Sequence, residues 1–238
     1  MNKTLDSMFG GDIKVVQDAT GYRFSIDSII LAYHVRPKPA DVILDLGTGC
    51  GIIPLILGYR EWDARIIGVE IQSDLAEMAA GNARLNNMED RITIHHRDLR
   101  DLKPILSPES VDLVCSNPPY RKAGSGRVNP DIQRAIARHE LKANLHDILQ
   151  AGLFVLKKKG QIVVIYPADR LTDLLCGMRE HGLEPKLLRP VHSYADSEAK
   201  LIIVMGKKAG RPGMKIDHPL TVYNKDGSYT GEMEAMLE

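Results

Sequence analysis

The chain has 238 residues, enough for one sizeable α/β domain, and its 31 Lys+Arg and 31 Asp+Glu give a formal net charge of zero. That balance excludes nucleic-acid binding through a whole-surface basic field, so any such contact needs a local patch. Cys50, Cys115 and Cys176 have neither disulfide nor metal-ligand spacing, and no signal-like or membrane-length apolar run is present, so a soluble, cytoplasmic protein is expected.

Residues 1–40 contain "GYRFSIDSIILAYHV", read as a turn and then a helix capped by Ser25 or Asp27. From there, short apolar runs bounded by turn residues alternate with helical patterns. The runs are "DVILDLG" (41–47), "ARIIGVE" (64–70), "RITIHH" (91–96), "SVDLVCS" (110–116), "GQIVVIY" (160–166) and "KLIIVMG" (200–206). Such runs read as buried parallel strands. "GIIPLILGYR" follows the first, with Pro54 tolerated in a first helical turn. "SDLAEMAAGNARLNN" predicts a helix from an N-cap at Ser73 to a C-cap at Asn86–Asn87. "LHDILQAGLFVLKKKG" predicts an amphipathic helix whose three closing lysines suit the negative end of the helix dipole. "DRLTDLLCGMREHG" predicts a helix stopping at Gly182. Alternation of this kind implies βαβ units and a parallel sheet covered by helices on both faces. Residues 207–238 read as an extended or hairpin-like segment on the surface.

"LDLGTGCG" places Asp45, Gly47, Thr48, Gly49 and Gly51 at the end of the first strand. Glycines there allow a sharp turn and close approach of a ligand, which in open α/β sheets sits beyond the carboxyl ends of the strands. By itself the pattern is no more than a glycine-rich turn. Its third glycine comes one position earlier than in G-x-G-x-x-G, with Ile52 in the expected place. The Asp45 carboxylate suits a cationic ligand group and repels a pyrophosphate. Glu70 ends the second strand, where a carboxylate accepts from ribose hydroxyls. Asp98, after the third strand, is placed to accept from an adenine amino group. A ribose, an adenine and an ammonium-bearing tail without phosphates describe S-adenosylmethionine. No P-loop G-K-S/T is present.

"NPPY" (117–120) follows the fourth run, beside the same strand ends. An exocyclic or amide NH2 has a delocalised lone pair and is a weak nucleophile. The Asn117 side-chain oxygen and the Pro118 carbonyl can accept its two hydrogens and aim the lone pair. Pro119 holds Pro118 extended, and Tyr120 offers a face for stacking. Read without its setting, N-P-P-Y is a surface turn; the apolar strand before it and the glycine loop upstream favour a clamp for a planar NH2.

At these residues the chain resembles the class I S-adenosylmethionine-dependent methyltransferases that act on amines. "GYRFSIDSIILA", "DLGTGCGIIPLIL", "NPPYRKAGSGRVNPDIQRAIARHE" and "YTGEM" together resemble the bacterial tRNA1(Val) adenine-37 N6-methyltransferase family over nearly the whole chain. The resemblance implies an α/β fold with a Rossmann-like sheet of strand order 3-2-1-4-5-7-6, the last strand antiparallel. It implies one methyltransferase domain, with a pocket-closing segment at 1–40, a catalytic core at 41–206 and a tail packed on the core at 207–238. The cofactor is expected over Gly47–Gly51, Glu70 and Ile71, with Asp98, Leu99 and Asn117, and with Arg23 to Asp27, including Phe24 and Asp27, closing the pocket.

An RNA substrate is expected, held through Arg121, Lys122, Arg127, Arg134 and Arg138, five basic residues against one acid, Asp131, with "KAGSGR" (122–127) as a flexible basic loop beside the proposed site. Lys207, Lys208 and Arg211 are candidate extensions of that patch. A solvated basic face is the plain alternative for both. His139–Glu140 are candidates for capping or orienting the loop, though a packed or surface histidine is the favoured reading. No histidine joins a metal constellation, and no metal is expected. A protein glutamine N5-methyltransferase uses the same N-P-P-Y logic and is the alternative; such enzymes carry an additional N-terminal helical domain, for which about 40 residues are too few. DNA adenine methylation, guanine N2 methylation and a non-catalytic RNA-binding role rank below it. Monomer and weak dimer both stay open.

Overall fold

The structure, a computed structural model, describes residues 3–18, 25–60, 63–118 and 143–238. Its centre is a sheet built on seven long strands: β3 (Val42–Leu46), β4 (Arg65–Glu70), β5 (Ile92–His96), β6 (Val111–Ser116), β7 (Leu156–Pro167), β8 (Leu183–His192) and β9 (Ala199–Lys208). In space they run β5-β4-β3-β6-β7-β9-β8. Neighbours from β5 to β7 are parallel, and β9 is antiparallel to both β7 and β8. Counted from β3, this is 3-2-1-4-5-7-6 with the last strand reversed, the order that the resemblance implies.

Both faces of the sheet are buried, and strand parity divides them. Ile43, Leu113, Cys115, Val163, Ile165 and Ile203 pack against α1 (Ile26–His34) and α2 (Ile52–Arg60). Leu44, Leu46, Val114, Ile162, Val164 and Val204 pack on the other side, against α4 (Leu145–Val155) and α5 (Leu171–Glu180). The continuous apolar runs in the sequence follow from this two-sided burial.

Several expectations shift. A hairpin of β1 (Lys3–Met8) and β2 (Ile13–Asp18) precedes α1. It docks on α3 (Ser73–Leu85), where Asn82 accepts from the Val16 N–H and donates to the Val16 carbonyl, and Asn86 does the same for Lys14. These two asparagines stand in for a missing neighbouring strand. Ser25 occupies the N-cap of α1 without a side-chain bond, and Asp27 sits inside the first turn. The N-cap of α3 is Gln72, and Ser73 is its first helical residue.

The helix before the lysines ends at Val155. Its start is held by a capping box of Asn144 and Asp147. The chain then turns directly into β7, so Lys157 to Lys159 belong to the strand and its bulge, with Lys159 at φ 68°. They do not cap a helix. Residues 183–192 form β8, which the two prolines Pro185 and Pro190 hide from a strand reading.

The tail is more than an extended segment. β10 (Lys215–Ile216) and β11 (Leu220–Thr221) pair in parallel with β8, and α6 (Gly231–Leu237) follows a Tyr223–Tyr229 bridge. Leu220, Val222, Met233 and Met236 are buried in the α1/α2 core.

Candidate functional site

The carboxyl ends of β3, β4 and β6 meet at a cleft enclosing about 920 Å³ of empty space, open to solvent. Gly47 and Gly49 line it from the loop after β3, Glu70 and Ile71 from the end of β4, Asp98 and Leu99 from the turn after β5, and Asn117 and Pro118 from the end of β6. Leu75 and Ile148 add apolar walls.

The loop is locked in place by backbone bonds. The Gly47 and Thr48 N–H groups both donate to the Val69 carbonyl, at 2.9 and 3.0 Å. Gly47, Gly49 and Gly51 all have positive φ, at 77°, 59° and 85°. The three glycines then serve different ends. A Cβ on Gly51 would sit 3.0 Å from that of Ala79, so this glycine permits loop and α3 to pack. Gly51 and Thr48 do not line the cleft; the Thr48 side chain tucks against Gly68 on β4.

Asp45 is also off the cleft. It shares strand parity with Ile43 and pairs with Cys115, so it points to the α1/α2 face, and it is fully buried there. The Cys115 thiol lies 3.7 Å from Oδ1, and Oδ2 has no hydrogen-bond partner among the described residues. Burial pushes the carboxyl up to about 7, against the opposing pull of the Thr48 and Cys115 side chains, and the Glu70 charge raises it further. Burial likewise raises the Cys115 thiol.

Glu70 is 6% exposed and organises the cleft. Its Oε2 accepts from the Gly49 N–H at 3.0 Å, and its Oε1 accepts from the Gln72 N–H at 3.0 Å. The loop N–H that a pyrophosphate would need is therefore already engaged by a carboxylate. Such a site disfavours phosphate and fits a nucleoside whose hydroxyls donate to Glu70. Asp98 is tied to its neighbour: the Arg100 backbone N–H and guanidinium both donate to it. That bond holds its carboxyl below the ordinary range.

At the end of β6 the buried Ser116 hydroxyl donates to the Leu46 carbonyl at 2.8 Å, pinning β6 to β3 just before Asn117. The Asn117 Nδ2 donates to the Ser28 hydroxyl on α1 at 3.1 Å. Asp27 lies next to Ser28 but does not line the cleft. Arg23, Phe24, Pro119, Tyr120, Arg121, Lys122, Arg127, Arg134, Arg138 and the His139–Glu140 pair lie outside the described residues.

Lys207, Lys208 and Arg211 do not extend a patch at this cleft. Because β9 runs antiparallel, Lys207 pairs with Gln161 of β7, level with Leu113 of β6 and three residues back from Ser116, toward the amino ends of the parallel strands. Lys208 is spent on the Leu153 and Leu156 carbonyls and on Glu109. The reading by residue also missed Gln72, Arg97, Leu75 and Ile148 in the cleft wall. Gln72 had a signal, since it sits two positions after Glu70, where its N–H reaches back to the carboxylate. Among the described residues, no cluster of three or more His, Cys, Asp or Glu is placed to hold a metal, and no helix is long and apolar enough to cross a membrane.

Comparison with known proteins places this geometry. Residues 22–172 match the model of the methyltransferase small domain. A tRNA1(Val) (adenine(37)-N6)-methyltransferase of Porphyromonas gingivalis is 35% identical over 78% of this chain and 75% of its own length. Its counterpart in Aeromonas hydrophila is 28% identical over 91% of this chain and 89% of its own. Among solved structures, a predicted O-methyltransferase of Agrobacterium tumefaciens superposes with a TM-score of 0.71 at 19% identity, covering 88% of this chain and 94% of that one. The geranyl diphosphate C-methyltransferase of Streptomyces coelicolor, solved with S-adenosyl-L-homocysteine, gives 0.56 at 16% identity, covering 77% of this chain and 78% of that one. These likenesses show the same fold. The chain belongs to the methyltransferase small domain family, together with relatives named for N6 methylation of adenine 37 in tRNA1(Val).

Proposed function

We propose that the protein is an S-adenosylmethionine-dependent methyltransferase acting on the N6 amine of an RNA adenine, adenine 37 of a tRNA. The observation that carries this reading is the meeting of Glu70 with Asn117 and Pro118 in one cleft. The curated relatives named for this reaction support the choice of substrate. The relation of Glu70 to Gly49 fits a phosphate-free nucleoside cofactor. Glu70 is the ribose acceptor, Gly47 and Gly49 allow close backbone approach, and Leu99 and Ile71 give apolar walls for the adenine. Asp45, buried behind the loop, acts on the cofactor only through the shape and field of that loop.

When bound, the cofactor supplies an electrophilic methyl group on a sulfonium. The chain's own task is to present the amine. The Asn117 oxygen and the Pro118 carbonyl accept its two hydrogens, which gives the nitrogen pyramidal character and aims its lone pair. With the cofactor held, its methyl group would pass to the nitrogen with loss of the sulfonium charge, and the nitrogen would give up its extra proton to water. No strong base is needed, because the methylated ammonium of an aromatic amine is acidic. Arg121, Lys122, Arg127, Arg134 and Arg138 are proposed to hold phosphates while the base is flipped out. A tRNA substrate supports a cytoplasmic location.

The test incubates purified protein with methyl-labelled S-adenosylmethionine and total RNA or total protein from cells lacking the gene. Label in small RNA that is lost on ribonuclease treatment, recovered as N6-methyladenosine, is expected. Asn117→Ala should remove it by orders of magnitude while retaining cofactor binding. Label in protein would instead assign the enzyme to glutamine amides, on the same fold and clamp.

A further inference from the structure

The helix α1 reaches the proposed clamp through the Ser28 side chain. Ser28 sits in the first turn of α1, 4% exposed, and is followed by the fully apolar and buried run Ile29, Ile30, Leu31 and Ala32. A hydroxyl buried there carries a desolvation cost unless it is bonded. It accepts from Asn117 Nδ2 at 3.1 Å, across 89 residues of sequence.

This bond addresses a difficulty that any Asn clamp has. The terminal torsion of asparagine is broad and nearly two-fold, so a free amide would turn its NH2 toward the amine about as readily as its oxygen. An NH2 facing an NH2 repels the substrate. A fixed acceptor on one side of the amide holds the NH2 there and leaves the oxygen on the other. Ser28 is such an acceptor, and its own position is set by α1, whose Ser28 N–H donates to the Ser25 carbonyl at 3.1 Å.

We propose that Ser28 is a positioning residue, fixing the Asn117 amide so that its oxygen is presented to the substrate amine. The role rests on Asn117 being the amine acceptor, and it makes α1 part of the clamp as well as a cover for the sheet.

Two measurements test it. The first follows the Asn117 side-chain amide signals by ¹H–¹⁵N NMR, assigned by their loss in Asn117→Ala. In Ser28→Ala they should move and exchange faster with water. The second is a cycle of Ser28→Ala, Asn117→Ala and the double variant, read as single-turnover methyl transfer. Ser28→Ala should slow transfer roughly 3- to 10-fold, the range of one neutral hydrogen bond, with cofactor affinity unchanged. In the Asn117→Ala background the same change should cost nothing more. Unmoved amide signals, an unchanged rate, or an equal loss in both backgrounds would each overturn the proposal. If wild-type protein leaves RNA unlabelled, the substrate reading fails, while the amide signals still decide the link between Ser28 and Asn117.

Discussion

The Arg189 guanidinium meets the Glu232 carboxylate at 2.7 Å, joining strand β8 to the last helix of the chain. Arg189 is 4% exposed, and it also donates to His34 Nε2 and His218 Nε2, each at 2.9 Å, and to the His218 carbonyl at 3.1 Å. One buried cation therefore gathers α1, β8, the segment after β10 and α6.

Removing Glu232 leaves that buried cation without its hydrogen-bonded carboxylate. Glu232→Ala should destabilise by about 1–3 kcal/mol, the range for bonds to charged groups. Arg189→Ala should cost more, because it also unties both imidazoles and the His218 carbonyl. Urea unfolding checks both, as a lower midpoint at unchanged slope. Wild-type midpoints in both variants would show that apolar packing alone holds the tail.

His34 adds a pH dependence. A guanidinium only donates, so His34 Nε2 must present its lone pair, and Nδ1–H then donates to the Ile30 carbonyl at 2.7 Å. Burial lowers its pKa from 6.5, the Ile30 bond opposes this, and Arg189 and Arg36 lower it further against Glu232. The unfolded chain thus takes up a proton at higher pH than the folded one. This contribution is complete above about pH 6.5 and is lost as pH falls from there to the folded pKa. Wild type should lose stability relative to His34→Gln between pH 7 and pH 5. A difference independent of pH would show that His34 titrates alike in both states.

Asp45 has the opposite sign. Its folded pKa of about 7 exceeds its ordinary 3.8, so the folded state holds the extra proton between these values. Its contribution therefore declines as pH rises from 3.8 to 7. Asp45→Asn should be more stable than wild type at pH 8, by up to about 4 kcal/mol from the size of the shift. The gain should shrink toward pH 4. A variant less stable than wild type at pH 8 would mean that the carboxylate has a partner in solution.

Glu70 is both acceptor and brace. Glu70→Ala should weaken S-adenosylmethionine binding at least 10-fold by calorimetry, since it removes the proposed ribose acceptor and frees the Gly49 and Gln72 N–H groups. Glu70→Gln keeps one acceptor oxygen and should lose less. Equal affinities in all three proteins would place the ribose elsewhere.

Much of the fold is legible locally. A parallel strand buried on both faces is apolar at most positions, so "VILDL" and "QIVVIY" are readable as runs. The glycine loop is legible because only glycine takes positive φ without strain at three alternate positions. Gly182 marks a helix end for the same reason, at φ 68°. β8 is harder to see, since prolines interrupt it and several of its residues are half-buried. The N-terminal hairpin is hidden too, because its partners are asparagine side chains on α3 rather than another strand.

The sequence by itself determined the chemical inventory: a glycine turn, an acid ending the next strand, and an Asn-Pro-Pro run after the fourth. Tertiary structure decided which of those groups share a cleft. Strand parity sends Asp45 behind the loop, where its adjacency to the glycines had suggested ligand contact. The reversal of β9 carries Lys207 and Lys208 toward the amino ends of the parallel strands, away from the cleft, and Ser28 reaches Asn117 from a helix 89 residues away. The physical reason is that a residue type encodes what a group can do. Its direction depends on register, strand polarity and packing, and these are set by partners distant in sequence.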